Sequence, residues 1–372
     1  MSGSAFRFIA GCESRGDRAL GHPKNDCAYT HGAHTRNMTL LDIARQLGLS
    51  VSTVSRALTR PDMVAAPTRE RVLELVERQG YQPNAIARSL QKGVTRSVGL
   101  IVSDIQNPFY SGVTKAIERV ASSNGYTTVI CNADEDLTKE ANALRLLAQL
   151  QVAGVIYASS GYDAESLREL GRWGVPTVAI DRATSLQTAD SVLVDNLRGS
   201  REATEYLLDL GHTRIATIAG PTSLTTGRDR LEGYRQALLD RGIHEIPAYV
   251  QIGDFKEASG RESAERLLSL QVPPTALFVA NNEMAAGVID LLRERRVRIP
   301  GDMSLLSFDD ARWARYLEPP LTVVAQPTEE IGSIAAQLLF ERLAGRTAPR
   351  ARVLRSHLII RGSCAALAAR QE

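Results

Sequence analysis

The sequence has few of the features that mark secreted and membrane proteins. It has only four cysteines in 372 residues, and their spacing fits no disulfide framework. No apolar run approaches the roughly 18 residues that a membrane helix needs, and the N-terminus lacks the apolar core of a secretory signal. These absences favour a reduced, cytoplasmic protein without membrane contact.

Signatures of catalysis and of metal binding are also missing. No arrangement of serine, histidine and aspartate is apparent, and no glycine-rich phosphate loop appears. The cysteines and histidines before residue 38 lack the CxxC pairs and the spacing of zinc sites: Cys12, Cys27, His31 and His34. We therefore predict no enzyme, no cofactor and no metal.

The net charge of +2 is divided unevenly along the chain. Residues 38–96 carry nine Lys or Arg against five Asp or Glu, whereas residues 97–372 carry 30 against 34. A basic head on a mildly acidic body indicates a polyanionic partner for the head alone. Residues 1–37 show no sustained apolar period, which predicts a disordered extension.

A dense helical pattern begins at Thr39. Thr39 and Asp42 have the spacing of a helix cap, and helical spacing of apolar residues continues to Gly48. Ser50 begins a second short helix whose inward residues are Val54, Ala57 and Leu58. A third helix over about 68–79 has as its core face Val72, Leu73, Leu75 and Val76. We predict a helix-turn-helix, with an ordinary three-helix bundle as the alternative.

A short segment after the third helix separates these alternatives. Residues 81–91, YQPNAIARSLQ, predict about two turns of helix, too few to be stable without a partner. Together with Thr39–Ala44 and Val51–Arg56, this segment resembles the lactose-repressor (LacI/GalR) family of bacterial transcription regulators. The resemblance continues to about residue 362.

The resemblance implies a homodimer on double-stranded operator DNA. It places in the major groove Val51, Ser52 and Arg56. It assigns to the phosphates Thr39, Ser50, Thr53, Ser55, Thr68 and Asn84. It places in the minor groove Ala87 and Leu90, with Leu90 as a wedge that kinks the centre of a palindrome. The alternative for Leu90 is packing in a core.

From Ser97 onward, apolar strands alternate with amphipathic helices. Eleven strands are predicted, over about 97–105, 127–133, 154–160, 177–183, 191–195, 214–220, 249–254, 276–282, 304–310, 322–326 and 357–361. This number suffices for two parallel sheets covered by helices on both faces. The predicted fold class is α/β: a three-helix helix-turn-helix domain and a hinge helix, joined to a two-subdomain, doubly wound domain like that of periplasmic binding proteins.

We expect five segments along the chain. They are the extension at 1–37, a helix-turn-helix domain at 38–83, a hinge helix and linker at 84–96, an effector-binding and dimerisation domain at 97–362, and a C-terminal tail at 363–372. Within the large domain, subdomain one takes about 97–194 plus 327–355. Subdomain two takes about 195–326 plus 356–362.

Polar and aromatic residues follow the predicted strands, where ligands bind in doubly wound sheets. Aromatic faces, arginines, carboxylates and amides converging there suit a polyhydroxylated ring. The domain resembles ribose-type periplasmic sugar-binding proteins and ribose-operon repressors, which implies as effector contacts Asn107, Phe109, Asp181, Arg182, Arg230, Phe255, Asn281, Asp309 and Gln326. Tyr110 stands where a second phenylalanine is usual, so ribose itself stays open.

The sequence thus predicts a repressor that an unphosphorylated sugar releases from DNA, with a ribose-like pentose favoured. The alternatives are a hexose, a sugar acid or a purine corepressor, and corepression in place of induction. A sugar-acting enzyme would need Asp181 and Asp309 as acid and base. We expect the neighbouring arginines to hold both carboxylates ionised, which argues against that role.

Overall fold

The computed structural model describes residues 38–79, 95–161 and 165–367. The chain divides into two compact units, Met1–Pro83 and Asn84–Glu372. The predicted extension at 1–37 lies outside the described residues, as do Asn84, Ala87 and Leu90 of the predicted hinge helix. In the described part of the chain, no helix combines the length and the apolar character that a membrane span requires.

Three short helices form the described part of the first unit: α1 (Leu40–Leu47), α2 (Val51–Thr59) and α3 (Ala66–Arg78). Thr39 and Asp42 make a reciprocal cap on α1, because each backbone N–H donates to the other side chain, at 3.0 Å and 3.3 Å. Gly48 ends α1 at φ 64°, a left-handed conformation that glycine adopts without strain. The tight turn to α2 follows from this glycine.

The three helices enclose a small apolar core made of Ile43, Ala44, Val54, Ala57, Val72 and Leu75. The predicted core positions Leu58 and Val76 pack partly buried against it. The prediction for Leu73 was wrong, since its side chain is 45% exposed. Leu73 follows the buried Val72, and one step along a helix turns a side chain by about 100°, here out of the core.

The strands described in the second unit form two six-stranded sheets. The first sheet contains β1 (Ser97–Val102), β2 (Thr127–Asn132), β3 (Gly154–Tyr157), β4 (Thr177–Ile180), β5 (Asp190–Val194) and β11 (Ala351–Leu354). Its order is β11-β5-β4-β3-β1-β2, and all its pairs are parallel. We call this sheet and the helices that cover it lobe one.

The second sheet contains β6 (Ile215–Ala219), β7 (Val250–Ile252), β8 (Ala276–Val279), β9 (Ser304–Phe308), β10 (Thr322–Ala325) and β12 (His357–Ile359). Its order is β12-β10-β9-β8-β6-β7, and only β12 runs antiparallel to its neighbour. We call this sheet and its helices lobe two. The two lobes therefore share one strand order and differ in the direction of the edge strand, β11 or β12.

Helices cover both sheets. Lobe one has α4 (Pro108–Ser123), α5 (Leu137–Gln149), α6 (Glu165–Arg172) and α11 (Thr328–Leu343), and lobe two has α7 (Asn196–Asp209), α8 (Thr225–Asp240), α9 (Glu257–Leu268) and α10 (Asn282–Glu294). The chain passes between the lobes three times, after β5, after β10 and between β11 and β12. Two lobes joined by a few short connections can close around a ligand by a hinge motion.

All eleven predicted strands are present, and each ends one to three residues earlier than predicted. The first residue beyond several of these ends still donates one backbone hydrogen bond to a neighbouring strand, as Ala133, Ala158 and Asp309 do. The sequence pattern missed β11, an edge strand whose exposed residues have no apolar alternation. Residues 363–367, expected as a tail, pack on lobe two, where Ser363 Oγ donates to the backbone oxygen of Leu305 at 2.6 Å.

Candidate functional site

The outer face of α2 carries the three side chains predicted to read DNA bases. Val51, Ser52 and Arg56 are exposed, whereas Val54 and Ala57 are buried on the opposite side. Arg56 lies along this face, where its Nε donates to the backbone oxygen of Ser52 at 3.1 Å. A short helix with a small, polar outer face after a tight turn has the shape that enters a major groove.

Three of the predicted phosphate contacts lie where helices begin. Thr39 and Ser50 cap α1 and α2, and Thr68 lies in the first turn of α3. The other two described residues of this set, Thr53 and Ser55, lie half-buried in α2. Free N–H groups at helix N-termini suit phosphate binding. Contact of these residues with DNA stays a prediction.

A narrow cleft lies between the two lobes. Its lining contains all ten residues predicted to bind the effector: Asn107, Phe109, Tyr110, Asp181, Arg182, Arg230, Phe255, Asn281, Asp309 and Gln326. Three further residues, Asp104, Glu135 and Thr226, line it and were not predicted. The structure brings the ten together at the strand ends, and their binding to a ligand stays a prediction.

On the lobe-one wall, an aromatic pair lies beside a carboxylate. The rings of Phe109 and Tyr110 meet edge to face, with centroids 4.9 Å apart. Tyr110 Oη donates to Asp181 Oδ2 at 2.9 Å and lies 3.1 Å from Ser103 Oγ. Burial, reinforced by the charge of Asp181, raises the pKa of Tyr110, so its hydroxyl stays protonated. Asn107 caps α4 by accepting from the N–H of Phe109 at 2.9 Å.

On the lobe-two wall, Arg230 is fixed by neutral partners. Its Nε donates to Asn196 Oδ1 at 2.8 Å and its Nη1 donates to the backbone oxygen of Ala280 at 2.6 Å. Its guanidinium carbon lies 3.8 Å from the centroid of the Phe308 ring. Asp309 Oδ1 accepts from Gln326 Nε2 at 2.6 Å. These contacts hold the charged groups in place before any ligand enters.

The phenylalanine of this wall depends on a glycine. A Cβ on Gly220 would lie 2.0 Å from the ring of Phe255, so only glycine leaves room for that ring. The backbone oxygen of Phe255 accepts from Asn281 Nδ2 at 3.0 Å. Asn281 also caps α10, because its Oδ1 accepts from the N–H of Met284 at 2.9 Å. One side chain thus ties the helix start to the aromatic loop.

Burial perturbs the charged groups of the cleft. It raises the pKa of Asp309, although Arg230 and the hydrogen bond from Gln326 act in the opposite direction. Burial thus opposes the effect of Arg230 on Asp309, and the ionisation of both carboxylates by the neighbouring arginines stays a prediction. Burial likewise lowers the pKa of Arg230. Perturbed charges in a cleft are typical of a functional site.

Backbone strain is concentrated at the same place. Seven non-glycine residues in the described part of the chain have positive φ, and four of them line the cleft: Glu135 at 57°, Asp181 at 64°, Phe255 at 68° and Asp309 at 73°. Asp134, next to Glu135, has φ 53°. Such conformations are costly for these residue types and are found where function requires them. Here they turn strand ends sharply, so that the side chains face the cleft.

Charged residues that the sequence prediction missed add two ion-pair systems. Glu135 binds Arg182 with both carboxylate oxygens, at 2.6 Å and 2.7 Å. Lys256, from lobe two, reaches two carboxylates of lobe one: its Nζ lies 2.5 Å from Asp104 Oδ2 and 2.8 Å from Asp134 Oδ1. The available signal was position, because each of these residues follows a strand within four residues, as six of the ten predicted ligands do.

Comparison with known proteins matches both parts of the chain. Residues 39–84 match the family described as "Bacterial regulatory proteins, lacI family", and residues 204–364 match "Periplasmic binding protein-like domain". The ribose operon repressor of Escherichia coli (strain K12) is 35% identical over 327 residues, which cover 87% of this chain and 99% of that protein. The HTH-type transcriptional repressor PurR of Pasteurella multocida (strain Pm70) is 33% identical over 328 residues, covering 87% and 98%.

Similarity extends to a solved complex with DNA. The crystal structure of the lac repressor dimer bound to operator and to the anti-inducer ONPF matches with a TM-score of 0.78 at 27% identity. The match covers 89% of this chain and all of that one.

Proposed function

Because the chain belongs to the LacI family of bacterial transcription regulators, we propose that it represses a sugar-utilisation operon and that an unphosphorylated sugar releases it from its operator. It is a DNA-binding repressor of that family and not an enzyme. A ribose-like pentose is the favoured effector. Since an operator is part of the chromosome, the protein acts in the cytoplasm.

The observation that carries this proposal is the composition of the cleft. Carboxylates face it from both lobes, Asp181 from one and Asp309 from the other, and Phe109 and Phe255 supply apolar faces. A sugar ring has donor hydroxyls for the first pair and C–H faces for the second. A ligand held by both lobes at once favours their closed arrangement, which gives the sugar control over the rest of the protein.

We propose that the working unit is a homodimer, as in the lac repressor complex. Apolar side chains lie exposed on the edge strands of both sheets, Ile130 on β2 (44%) and Ile252 on β7 (48%). The contact of Lys256 with Asp134 brings the ends of these two strands to the same flank of the domain. We propose that a second copy covers these two side chains, and two copies supply two reading helices for a palindrome.

The effector and the DNA must affect each other's binding equally. If sugar lowers operator affinity by some factor, operator lowers sugar affinity by the same factor, because both bind one protein with two states. The PurR relative supports a second candidate, a purine base that strengthens operator binding as a corepressor. The sign of the effect on DNA binding separates the two candidates.

Fluorescence anisotropy tests the proposal directly. The full chain is titrated onto labelled palindromes with a central CG step at low salt, then challenged with pentoses, hexoses and purine bases. We expect nanomolar binding to one palindrome and release by a pentose. Binding to none of the palindromes contradicts the repressor function on such sites, and tighter binding with a purine base contradicts sugar induction.

A further inference from the structure

Glu135 occupies the hydrogen-bonding fork of Arg182. Arg182 Nη2 donates to Glu135 Oε1 at 2.6 Å, and Nη1 donates to Glu135 Oε2 at 2.7 Å. Nη1 also donates to the backbone oxygen of Ser159 at 3.0 Å. The bidentate geometry is the one with which arginine otherwise recognises a carboxylate or phosphate ligand. The fork of Arg182 therefore binds a carboxylate of its own lobe, that of Glu135.

The pair is built into the fold. The side chain of Arg182 is 5% exposed and that of Glu135 17% exposed, so water competes little for either. The left-handed backbone of Glu135 turns its side chain toward the cleft, and its N–H donates to the backbone oxygen of Ser103 at 2.9 Å. Opening this pair is costly, because it leaves the Glu135 carboxylate without its partner and leaves Arg182 with only the more distant Asp181, whose Oδ2 lies 3.5 Å from Arg182 Nε.

Arg230, the second arginine of the lining, also uses two of its three guanidinium nitrogens within the protein, since Nε and Nη1 donate to Asn196 and Ala280. Three polar atoms of the lining are buried with no hydrogen-bond partner among the described residues: the donor Arg182 Nε, the hydroxyl Thr226 Oγ1 and the acceptor Gln326 Oε1. The lining as a whole holds four carboxylates against two guanidinium groups. Such a cleft suits a ligand that donates hydrogen bonds and carries no negative charge.

We propose that Glu135 is a specificity-determining residue: it holds the fork of Arg182 inside the protein and so restricts the cleft to uncharged sugars, excluding sugar acids and sugar phosphates. An anionic ligand would have to displace Glu135 from Arg182 or lie among carboxylates of its own sign. This inference rests on the proposed function, and it narrows the effector to the uncharged members of the sugars considered.

Binding measurements on the full chain test the inference, with D-ribose, D-ribonate and D-ribose 5-phosphate as probes. Isothermal titration gives the dissociation constants, and thermal shift gives an independent reading. For the unchanged protein we expect binding of ribose and at least about 100-fold weaker binding of both anions, since charge complementarity governs specificity of this kind. Equal affinity for ribose and ribonate overturns the inference and leaves the sugar-responsive repressor intact.

Variants at the same position assign the effect to Glu135. Glu135→Gln keeps the shape and removes the charge, so it should bind ribonate about 10-fold or more tighter than the unchanged protein does, with ribose affinity changed only a few-fold. Glu135→Asp keeps the charge and should keep rejecting both anions. The control is Glu329→Gln, which removes an exposed partner of Arg119 on lobe one and should change neither ligand.

The outcomes separate the two claims. If Glu135→Gln folds, as judged by its melting curve, and still rejects ribonate, Glu135 does not set the selectivity. If Glu135→Gln does not fold, Glu135→Asp and the unchanged protein still decide, because anion binding by either contradicts the proposal. If none of the sugars binds and none releases DNA, the proposed function fails and this inference fails with it.

Discussion

Replacing Lys256 with glutamine removes a charge that ties lobe two to lobe one. Lys256 Nζ lies 2.5 Å from Asp104 and 2.8 Å from Asp134, and the Asp104 side chain is only 9% exposed. Partial burial acts to lower the pKa of Lys256, but hydrogen bonds to the two carboxylates raise it overall, so the lysine is charged at neutral pH. Lys139 and Lys256 lower the pKa of Asp134 to about 2, which keeps that partner ionised.

The size of the effect follows from the burial of the three groups. An exposed ion pair contributes about 0.2–1 kcal/mol, and the pair with Asp104 lies at or above the top of this range because its carboxylate is nearly buried. The two pairs together are expected to stabilise the observed arrangement of the two lobes by about 1–2 kcal/mol, a factor of about 5–30. If sugar binds this arrangement, Lys256→Gln raises the dissociation constant for sugar by up to this factor.

Isothermal titration of the preferred sugar at low and at high ionic strength is the assay. The loss in Lys256→Gln should be largest at low ionic strength, because salt screens the pairs in the unchanged protein. The matched control is Lys139→Gln, since Lys139 lies 2.6 Å from the same Asp134 but both residues belong to lobe one. Unchanged affinity in Lys256→Gln, or an equal loss in Lys139→Gln, refutes the reasoning.

Three further substitutions probe the two sites. Arg56→Ala should weaken operator binding by about 1–3 kcal/mol and relax the specificity at one base pair per half-site, as measured by anisotropy. An affinity loss that is uniform over all DNA sequences would instead make Arg56 a phosphate contact. Asp309→Asn should weaken sugar binding about 10-fold or more, because it removes a charged acceptor. Burial raises the pKa of Asp309, so the ionisation of this side chain lowers the folding stability as pH rises through that pKa. Melting curves should therefore show that Asp309→Asn gains stability relative to the unchanged protein as pH rises. A difference in melting temperature that stays constant with pH would contradict this. Tyr110→Phe removes the hydroxyl that donates to Asp181, so it should tighten ribose binding and lower the melting temperature of the ligand-free protein. Unchanged ribose affinity in titration would show that this hydroxyl does not compete with ribose for Asp181.

Strand positions and their polar ends could be predicted because they depend on local sequence. Apolar runs marked the strands, and the rule that ligands bind at strand ends gathered residues as distant in sequence as Asn107 and Gln326 into one lining. The helix caps at Thr39 and Ser50 could be predicted for the same reason, since each cap depends on a residue three positions away.

Long-range geometry could not be read from sequence. The pairing of Glu135 with Arg182 joins residues 47 positions apart, and the contact of Lys256 with Asp104 joins residues 152 apart. The pKa of Asp309 depends on how completely the fold excludes water, which no motif records. The exposure of Leu73 depends on which face of α3 meets α1 and α2, and apolar content alone did not decide it.

The central claim is that an uncharged sugar in the cleft controls the DNA affinity of α2. Its most direct test is an anisotropy titration of the preferred palindrome with and without saturating sugar, paired with a calorimetric titration of sugar with and without the palindrome. We predict that each ligand weakens the binding of the other by the same factor, and that Asp309→Asn needs about 10-fold or more sugar for the same release while its sugar-free operator affinity is unchanged. Operator affinity that is indifferent to every sugar that binds the cleft would contradict it.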